Sequence, residues 1–175
     1  LEYKFSPKFT AIFATRFESI YQSLEWYTNL SPNGKNTLEK IEILPSMSIK
    51  YSLTEMQNLK FAASKTYTLP QFKERAPFQF EDATEIFMGN PNLYASTDYN
   101  ADIKWEYFPK NNEVISVTAF GKYIQNPINE VTIASATNDI SYVNTGEKAI
   151  AIGGEFEIKK IIYQNESENK ETLSA

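Results

Sequence analysis

Three acidic side chains, Glu81, Asp82 and Glu85, form a compact group whose residue types could do chemistry. Several carboxylate oxygens close together can hold Ca²⁺, and two opposed carboxylates can hydrolyse a glycosidic bond, with Asp98 as a further candidate. The spacing of the triplet matches no known calcium loop, and nothing in the sequence sets two of these carboxylates face to face. We therefore predict no catalytic residue, no metal site and no cofactor, and we expect that the chain is not an enzyme.

The composition removes other classes of chemistry. The 175 residues include no His and no Cys, which excludes disulfides, thiol nucleophiles and Ser-His-Asp or Cys-His catalytic groups. A net charge of −5 gives no basic surface for nucleic acid, so no nucleic-acid partner is expected. The aromatic content is high, at 14%, and no run of about 18 apolar residues predicts a membrane-spanning helix.

The elements that must position any site are long β-strands. Apolar and polar residues alternate with a period of two, which predicts strands near residues 9–27, 38–54, 57–68, 96–108, 113–125 and 139–160. These strands exceed the usual length of about 5–6 residues. Short turns near residues 6–8, 54–57 and 109–112 alternate with longer connections at 29–37, 69–97 and 126–138. Residues 161–175 are polar and are predicted to form a mobile tail or loop.

The alternation gives every strand two different faces. One face is apolar and is predicted to be continuous through Ile41, Ile43, Met47, Ile49, Leu59, Phe61, Ile103, Trp105, Ile152 and Phe156. The other face carries charges, at Arg16, Glu18, Lys40, Glu42, Lys50, Lys60, Asp102, Lys104, Glu106, Glu155 and Glu157. Lys65 interrupts the apolar face, and we expect it to extend to lipid headgroups at the outer interface.

Two architectures fit this pattern. Long strands joined by short turns at one end and long loops at the other are typical of a transmembrane barrel, whose charged face lines the lumen. An antiparallel sheet with one wet face has the same alternation and would be a soluble or surface-exposed β-sheet binding module with no transport role. Strand length and the asymmetry of the connections favour the barrel.

Several strings resemble the barrel domain of TonB-dependent outer-membrane receptors, particularly the large receptors of Bacteroidetes-type bacteria. The strongest is the strand Asn58–Thr66, which continues into Leu69–Phe78; here Leu69 replaces the family's usual Arg before Pro70, and Arg75 stands where Leu is common. Shorter matches occur in the same order at Arg16-Phe17-Glu18, Leu44-Pro45-Ser46, Gly89-Asn90-Pro91-Asn92-Leu93, Ile103–Pro109 and Gly153-Gly154-Glu155-Phe156-Glu157.

This resemblance implies an all-β fold, in which an antiparallel up-and-down meander of about six long strands is part of a 22-stranded transmembrane β-barrel. Residues 1–160 would be a portion of that barrel, without the plug domain and the remaining strands. The resemblance also implies a bacterial outer-membrane location, contact with outer-membrane lipid, and coupling to the TonB complex through the absent plug region.

The implied function is import of a bulky nutrient, whether a siderophore, vitamin, glycan or peptide. Because barrels of this kind place their long loops outside the cell, the connection after residue 69 is expected to face the ligand. The candidate ligand-facing residues are Phe72, Lys73, Arg75, Phe78, Glu81, Asp82, Glu85 and Asn90.

Overall fold

The computed structural model describes residues 2–27, 33–81, 85–110, 112–134, 139–146, 148–164 and 172–174. Within these ranges almost all regular structure is extended, and no helix is long and apolar enough to cross a membrane. The elements in chain order are β1 (Glu2–Ser6), β2 (Phe9–Trp26), β3 (Gly34–Thr54), β4 (Gln57–Thr68), α1 (Phe72–Arg75), β5 (Gln79–Glu81), β6 (Ile86–Met88), β7 (Ser96–Tyr107), β8 (Val114–Gln125), β9 (Ile128–Thr132), β10 (Ile140–Asn144), β11 (Lys148–Lys159), β12 (Ile161–Gln164) and β13 (Thr172–Ser174).

The main sheet is an antiparallel meander in the order β1-β2-β3-β4-β7-β8-β11. Six of its strands are long: β2 has 18 residues, β3 has 21, and the other four have 12 each. The predicted all-β meander of about six long strands is therefore confirmed. The short edge strand β1 was not predicted, because no strand was assigned before Phe9.

The predicted strand at 139–160 is wrong as a single element. It is divided into β10, which belongs to another sheet, and β11, which ends the main sheet. Between them Gly146 has a φ of +66°, a left-handed conformation that L side chains adopt rarely and that breaks an extended strand. Apolar alternation on both sides of this glycine hid the break.

The strand register puts all ten predicted apolar residues on one face. Residues directly opposite one another in a pair of strands point to the same side, and Ile49, Phe61 and Ile103 form one such row. Tyr51, Leu59, Trp105, Val117 and Phe156 form the next row. The side chains are widely exposed, for example Ile152 at 83% and Ile41 at 78%. Within the part of the chain that the structure describes, therefore, no second layer covers the apolar face.

The two long connections form a second, smaller sheet in the order β5-β6-β10-β9. Strands β5 and β6 come from the connection between β4 and β7, while β9 and β10 come from the connection between β8 and β11. The junction is the parallel pair β6–β10, in which Phe87 lies opposite Ile140 and Met88 opposite Ser141. Most buried apolar side chains of the described residues belong to these connections: Ala76, Leu93, Ala95 and Tyr142.

Residues near the end of the chain also include paired strands. β12 and β13 are antiparallel, with Ile161 opposite Ser174. The sequence predicted a polar tail or loop over 161–175, and the structure places these two short strands within it. The mobility of this segment stays a prediction.

Candidate functional site

The charged face predicted from the sequence is one continuous surface of the main sheet. Its rows run across neighbouring strands: Lys50 lies opposite Lys60, Lys60 opposite Lys104, and Glu18 opposite Glu42. All eleven predicted residues lie on this side, opposite the apolar rows. That this polar face lines a lumen stays a prediction.

One network of ion pairs and a hydrogen bond links four strands of the polar face, β4, β7, β8 and β11. The Glu106 carboxylate, only 6% exposed, lies 2.8 Å from Lys60 Nζ and 3.8 Å from Lys104 Nζ. Lys104 is also 3.6 Å from Glu157, which accepts a hydrogen bond of 3.2 Å from the Ser116 hydroxyl. The shared carboxylate offsets the repulsion between two lysines that lie directly opposite each other.

A second network surrounds the opposed pair Glu18 and Glu42. Arg16 Nε lies 3.0 Å from Glu18, and Lys40 Nζ lies 2.5 Å from Glu42. Two side chains of β4 complete it: Lys65 Nζ lies 2.8 Å from Glu42, and the Tyr67 hydroxyl donates a 2.6 Å hydrogen bond to Glu18. Three cations and a hydroxyl thus surround two carboxylates that would otherwise repel each other.

The sequence predicted that Lys65 extends to lipid headgroups, but in the structure it does not. The β3–β4 pairing stops at Ser46 opposite Ser64, next to Pro45, which has no backbone N–H to donate. Beyond this point the two strands no longer pair, and Lys65 reaches across to the carboxylate of Glu42. An ion pair with a buried carboxylate replaces the headgroup contact that was expected.

Three of the eleven predicted charges of the polar face have no side-chain partner among the described residues. Lys50, Asp102 and Glu155 are exposed and make no ion pair there. They differ in this respect from the networks around Glu42 and Glu106. Together with Lys159, which is exposed opposite Val114 on the same face and makes no ion pair among the described residues, they are available to contact a ligand or another part of the protein.

The first long connection is fixed to the polar face through Arg75. This side chain is 1% exposed; its Nη1 donates a 2.7 Å hydrogen bond to Gln22 Oε1, and its Nη2 donates to Asn36 Oδ1. Gln22 Nε2 in turn donates to the Pro70 carbonyl at 3.2 Å. Burial lowers the pKa of the Arg75 guanidinium, although arginine remains charged in proteins. Gln22 and Asn36 lie on the side of Glu18 and Glu42, so the connection folds over the polar face.

The two long connections are joined by hydrogen bonds as well as by the β6–β10 pair. Asn90 Nδ2 donates to the Tyr142 carbonyl at 2.9 Å, and the Ser141 hydroxyl donates to the Met88 carbonyl at 2.7 Å. Asn144 Nδ2 donates to the Tyr94 carbonyl at 3.0 Å, while its Oδ1 accepts from the Tyr94 N–H at 3.1 Å. The two segments thus form one structural unit, which we call the joined-loop sheet, built on β5, β6, β9 and β10.

A cavity of about 590 Å³ lies in the joined-loop sheet. It is lined by Lys73, Phe78, Gln79, Phe80, Phe87, Gly89, Glu130 and Tyr142. Burial, followed by the nearby carboxylates of Glu130 and Glu74, raises the pKa of Tyr142. The volume lies within the range of about 300–1,000 Å³ typical of small-molecule sites, and the lining combines several aromatic rings with a few polar groups.

The predicted ligand-facing residues divide into several groups. Lys73 and Phe78 line the cavity, whereas Arg75 and Asn90 hold the connection in place and do not line it. Phe72, Glu81 and Glu85 are exposed outside the cavity, and Asp82 lies outside the described residues. Ligand contact by any of them stays a prediction.

Sequence reasoning missed six of the eight residues that line the cavity. Phe80 and Phe87 belong to an aromatic-rich stretch that was interpreted as a long, partly structured loop, and Glu130 was not singled out. Tyr142 was assigned to a long strand of the main sheet. The usable signal was the concentration of phenylalanines between residues 72 and 87.

Comparisons with known proteins agree with this geometry. A family-wide sequence model, described as the outer membrane protein beta-barrel family, matches residues 1–167. No curated protein matches the chain significantly. Among solved structures, the chain is similar to a double mutant of the Serratia marcescens hemophore receptor HasR in complex with its hemophore HasA and heme. The sequence identity is 13% and the TM-score is 0.73, over 90% of this chain and 30% of that chain.

Two further structures show the same similarity. One is a mutant ferric enterobactin receptor, PfeA, of Pseudomonas aeruginosa in complex with enterobactin, with 17% identity and a TM-score of 0.63 over 93% of this chain and 24% of that chain. The other is the siderophore receptor PirA of Acinetobacter baumannii, with 17% identity and a TM-score of 0.60 over 90% of this chain and 24% of that chain. At these identities the likeness shows the fold, and the chain spans less than a third of each receptor.

Proposed function

The chain belongs to the outer membrane protein beta-barrel family, whose members lie in the bacterial outer membrane, and from this premise we propose that the intact protein is a TonB-dependent receptor that imports a bulky nutrient. The observation that carries the proposal is the joined-loop sheet, which folds from one end of the main sheet over its polar face and encloses a cavity. The alternative is a soluble or surface-exposed β-sheet binding module with no transport role. Membership of an outer-membrane family disfavours its soluble form.

The main sheet would be a segment of the barrel wall. Its apolar face, with Ile152 and Phe156 widely exposed, would contact outer-membrane lipid. Its polar face would line the lumen, where Lys50, Asp102 and Glu155 are free to contact a plug domain. The backbone edges of β1 and β11 would pair with further strands, because a membrane barrel must leave no open edge in lipid.

The orientation follows from the connections. Two-residue turns at Pro7–Lys8 and Glu55–Met56 lie at the end of the sheet opposite the joined-loop sheet. Bacterial barrels place short turns in the periplasm and long loops outside. The cavity would therefore open toward the medium, where a nutrient arrives.

The similar structures bear on the substrate only by analogy. Those proteins are a hemophore receptor in complex with its hemophore and heme, a ferric enterobactin receptor in complex with enterobactin, and a siderophore receptor. We propose a ligand of comparable bulk, with uptake driven by the TonB complex through a plug domain. The closer assignment to Bacteroidetes-type receptors rests on the loop strings after Leu69 and after Gly89. The relatives are receptors, and we propose no enzymatic role.

Cysteine labelling on intact cells tests the proposal. This segment has no native Cys, so single Glu85→Cys and Lys110→Cys substitutions in the full-length receptor report separately on the two ends of the sheet. A membrane-impermeant maleimide is expected to label position 85 and to reach position 110 only after the outer membrane is permeabilised. The matched control is the same cysteine pair in permeabilised cells. Labelling of position 110 but not 85 on intact cells would contradict the orientation and the ligand-binding role of the joined-loop sheet.

A further inference from the structure

A groove crosses the apolar face of the main sheet where β4, β7, β8 and β11 lie side by side. Two cavities, of about 650 and 310 Å³, adjoin there and share one row of residues, Ala101, Gly121 and Ile152. This row is open because Gly121 has no side chain and Ala101 has a single methyl group. The cavities extend over the rows on either side, which hold Tyr99, Tyr123 and Ile150 in one direction and Phe61, Ile103 and Ala119 in the other.

The direction of the groove suits a lipid chain. Its rows succeed one another along the strands, and the outer two lie roughly 14 Å apart at about 3.4 Å per residue. Strands of a membrane barrel are tilted by about 35–45°, so a groove along them runs from the membrane surface toward its centre, as an acyl chain does. Because the chain belongs to an outer-membrane barrel family, the molecules that surround this face are lipids.

A single positive charge lies above the groove. The row beyond Tyr99 and Tyr123 contains Lys148 and Gln125, at the end of the sheet where the joined-loop sheet begins. Among the outward-pointing residues of β7, β8 and β11, all of which the structure describes, Lys148 alone is charged at neutral pH. It is exposed and makes no ion pair among the described residues. Its charge therefore favours an anionic group at this end of the groove.

Two tyrosines separate this lysine from the groove. The rings of Tyr99 and Tyr123 lie side by side, with centroids 6.3 Å apart. Tyrosines on the outside of membrane proteins are enriched where the lipid tails meet the headgroups. If this row marks that boundary, Lys148 lies at the level of the headgroups and the groove lies at the level of the acyl chains.

From these features we propose that the groove and Lys148 form a binding site for a phosphorylated lipid of the outer leaflet. One acyl chain lies in the groove between Ile152 and Ile103, and the Lys148 ammonium donates a hydrogen bond to the headgroup phosphate. The site is separate from the cavity of the joined-loop sheet and takes no part in nutrient binding. Its assignment to the outer leaflet rests on the proposed orientation, whereas lipid binding itself does not.

The test measures which lipid lies beside the groove. Val117, on the apolar face of β8 beyond Ala119, is replaced by cysteine in an otherwise cysteine-free full-length receptor, and the thiol is labelled with bimane. The labelled receptor is placed in phosphatidylcholine nanodiscs that contain either phosphatidate or phosphatidylcholine with a doxyl quencher on the acyl chain. Quenching as a function of quencher content gives the relative association constants of the two lipids. We expect phosphatidate to associate about fivefold more tightly, the effect of one lysine near a membrane surface.

Substitutions at Lys148 test the headgroup contact. Lys148→Gln is expected to abolish the preference for phosphatidate, because no other charged side chain points outward on these strands, and Lys148→Arg is expected to retain it. The matched control is Lys110→Gln, an exposed lysine in the turn at the opposite end of β7 and β8, which is expected to leave the preference unchanged.

A substitution at Ala101 tests the groove. Ala101→Leu fills the shared row while Lys148 stays in place, and it is expected to lower the preference for phosphatidate by about twofold or more, since the chain loses its contacts below the lysine. The matched control is Ile43→Phe, which enlarges an outward side chain on β3 outside the groove and is expected to change nothing. Circular dichroism and heat-modifiable migration confirm that each variant is folded.

The outcomes separate the lipid site from the receptor proposal. Equal association of the two lipids overturns the site, as does a preference that survives unchanged in Lys148→Gln or in Ala101→Leu. If the preference is found while cysteine labelling puts residue 85 in the periplasm, the lipid site stands, and the receptor proposal fails together with the outer-leaflet assignment. If labelling succeeds and the two lipids associate equally, the receptor proposal stands and the lipid site is refuted.

Discussion

Replacing Gly89 by alanine tests how tightly the joined-loop sheet is packed. A Cβ atom at this position would lie 2.1 Å from the carbonyl oxygen of Ala76 and within 2.9 Å of its carbonyl carbon and amide nitrogen. All three atoms are backbone, so no side chain can rotate out of the way. The glycine is required here because two backbone segments approach closely, and its φ lies outside the left-handed region.

The size of the effect follows from that distance. Contacts of a Cβ atom under 3.0 Å essentially never occur, so one segment must move by at least 0.9 Å, the difference between 3.0 and 2.1 Å. The adjacent hydrogen bond from the Asn90 N–H to the Glu74 carbonyl, at 2.6 Å, does not survive such a shift. Overpacking costs about 1–3 kcal/mol and a lost backbone hydrogen bond about 0.5–1.5 kcal/mol. We therefore expect the joined-loop sheet to lose about 2–4 kcal/mol.

Hydrogen–deuterium exchange measures this loss in the full-length receptor. Peptides covering residues 72–81, 86–94 and 139–146 are expected to exchange faster in Gly89→Ala, and those from β7 and β8 to be unchanged. The matched control is Gly121→Ala in β8, where the nearest atom to a new Cβ is 3.8 Å away and an ordinary contact results. Wild-type exchange in all three loop peptides would refute the close crossing at Gly89 and the coupling of the two connections.

Three further perturbations have defined outcomes. Arg75→Met removes two buried hydrogen bonds, to the side-chain amides of Gln22 and Asn36, each worth about 1 kcal/mol. We expect faster protease cleavage within residues 69–78. The control Lys110→Met should leave the cleavage rate unchanged. Glu106→Gln leaves two facing lysines without their shared carboxylate, so we expect it to lower the free energy of unfolding of the detergent-solubilised receptor by about 1–3 kcal/mol in a denaturant titration. The control Glu155→Gln, at an exposed position, should change this free energy by less than about 0.5 kcal/mol. Burial and nearby carboxylates raise the pKa of Tyr142, so the stability that its neutral hydroxyl contributes is complete below about pH 10 and is lost as pH rises through the raised pKa. Loop proteolysis should therefore increase at alkaline pH, and Tyr142→Phe should remove this part of the increase. An equal increase in both proteins would contradict the raised pKa of Tyr142.

The main sheet could be predicted from the sequence because a period-two pattern fixes which face each residue occupies. Ile49, Phe61 and Ile103 were placed on one face from alternation alone, and the register agrees. A slip of one residue in any strand would have moved its whole apolar set to the polar face. The long strands made this pattern clear over many residues.

The joined-loop sheet could not be predicted in the same way. Its strands β5 and β6 have only three residues each, too few to show a period. The parallel pairing of β6 with β10 joins segments more than 50 residues apart, and no local signal encodes such a contact. Tyr142 was therefore placed in the wrong sheet, although the alternation around it was interpreted correctly as strand.

The alternation of apolar and polar residues also could not predict the contacts of individual charged side chains. Alternation placed Lys65 among apolar residues, but its partner Glu42 depends on where the β3–β4 pairing stops. Arg75 was proposed as a ligand residue from its position in a long connection. Its burial against Gln22 and Asn36 depends on how that connection folds back, which only the tertiary structure gives.

The parallel pair between β6 and β10 has a consequence for the redesign of this protein. A loop graft that replaces residues 69–95 alone would remove the strand on which β10 depends, and a graft of 126–146 alone would leave β6 without its neighbour. A chimera that retains a working binding end must therefore exchange both segments together. Related sequences that diverge in one of these segments should show compensating changes in the other.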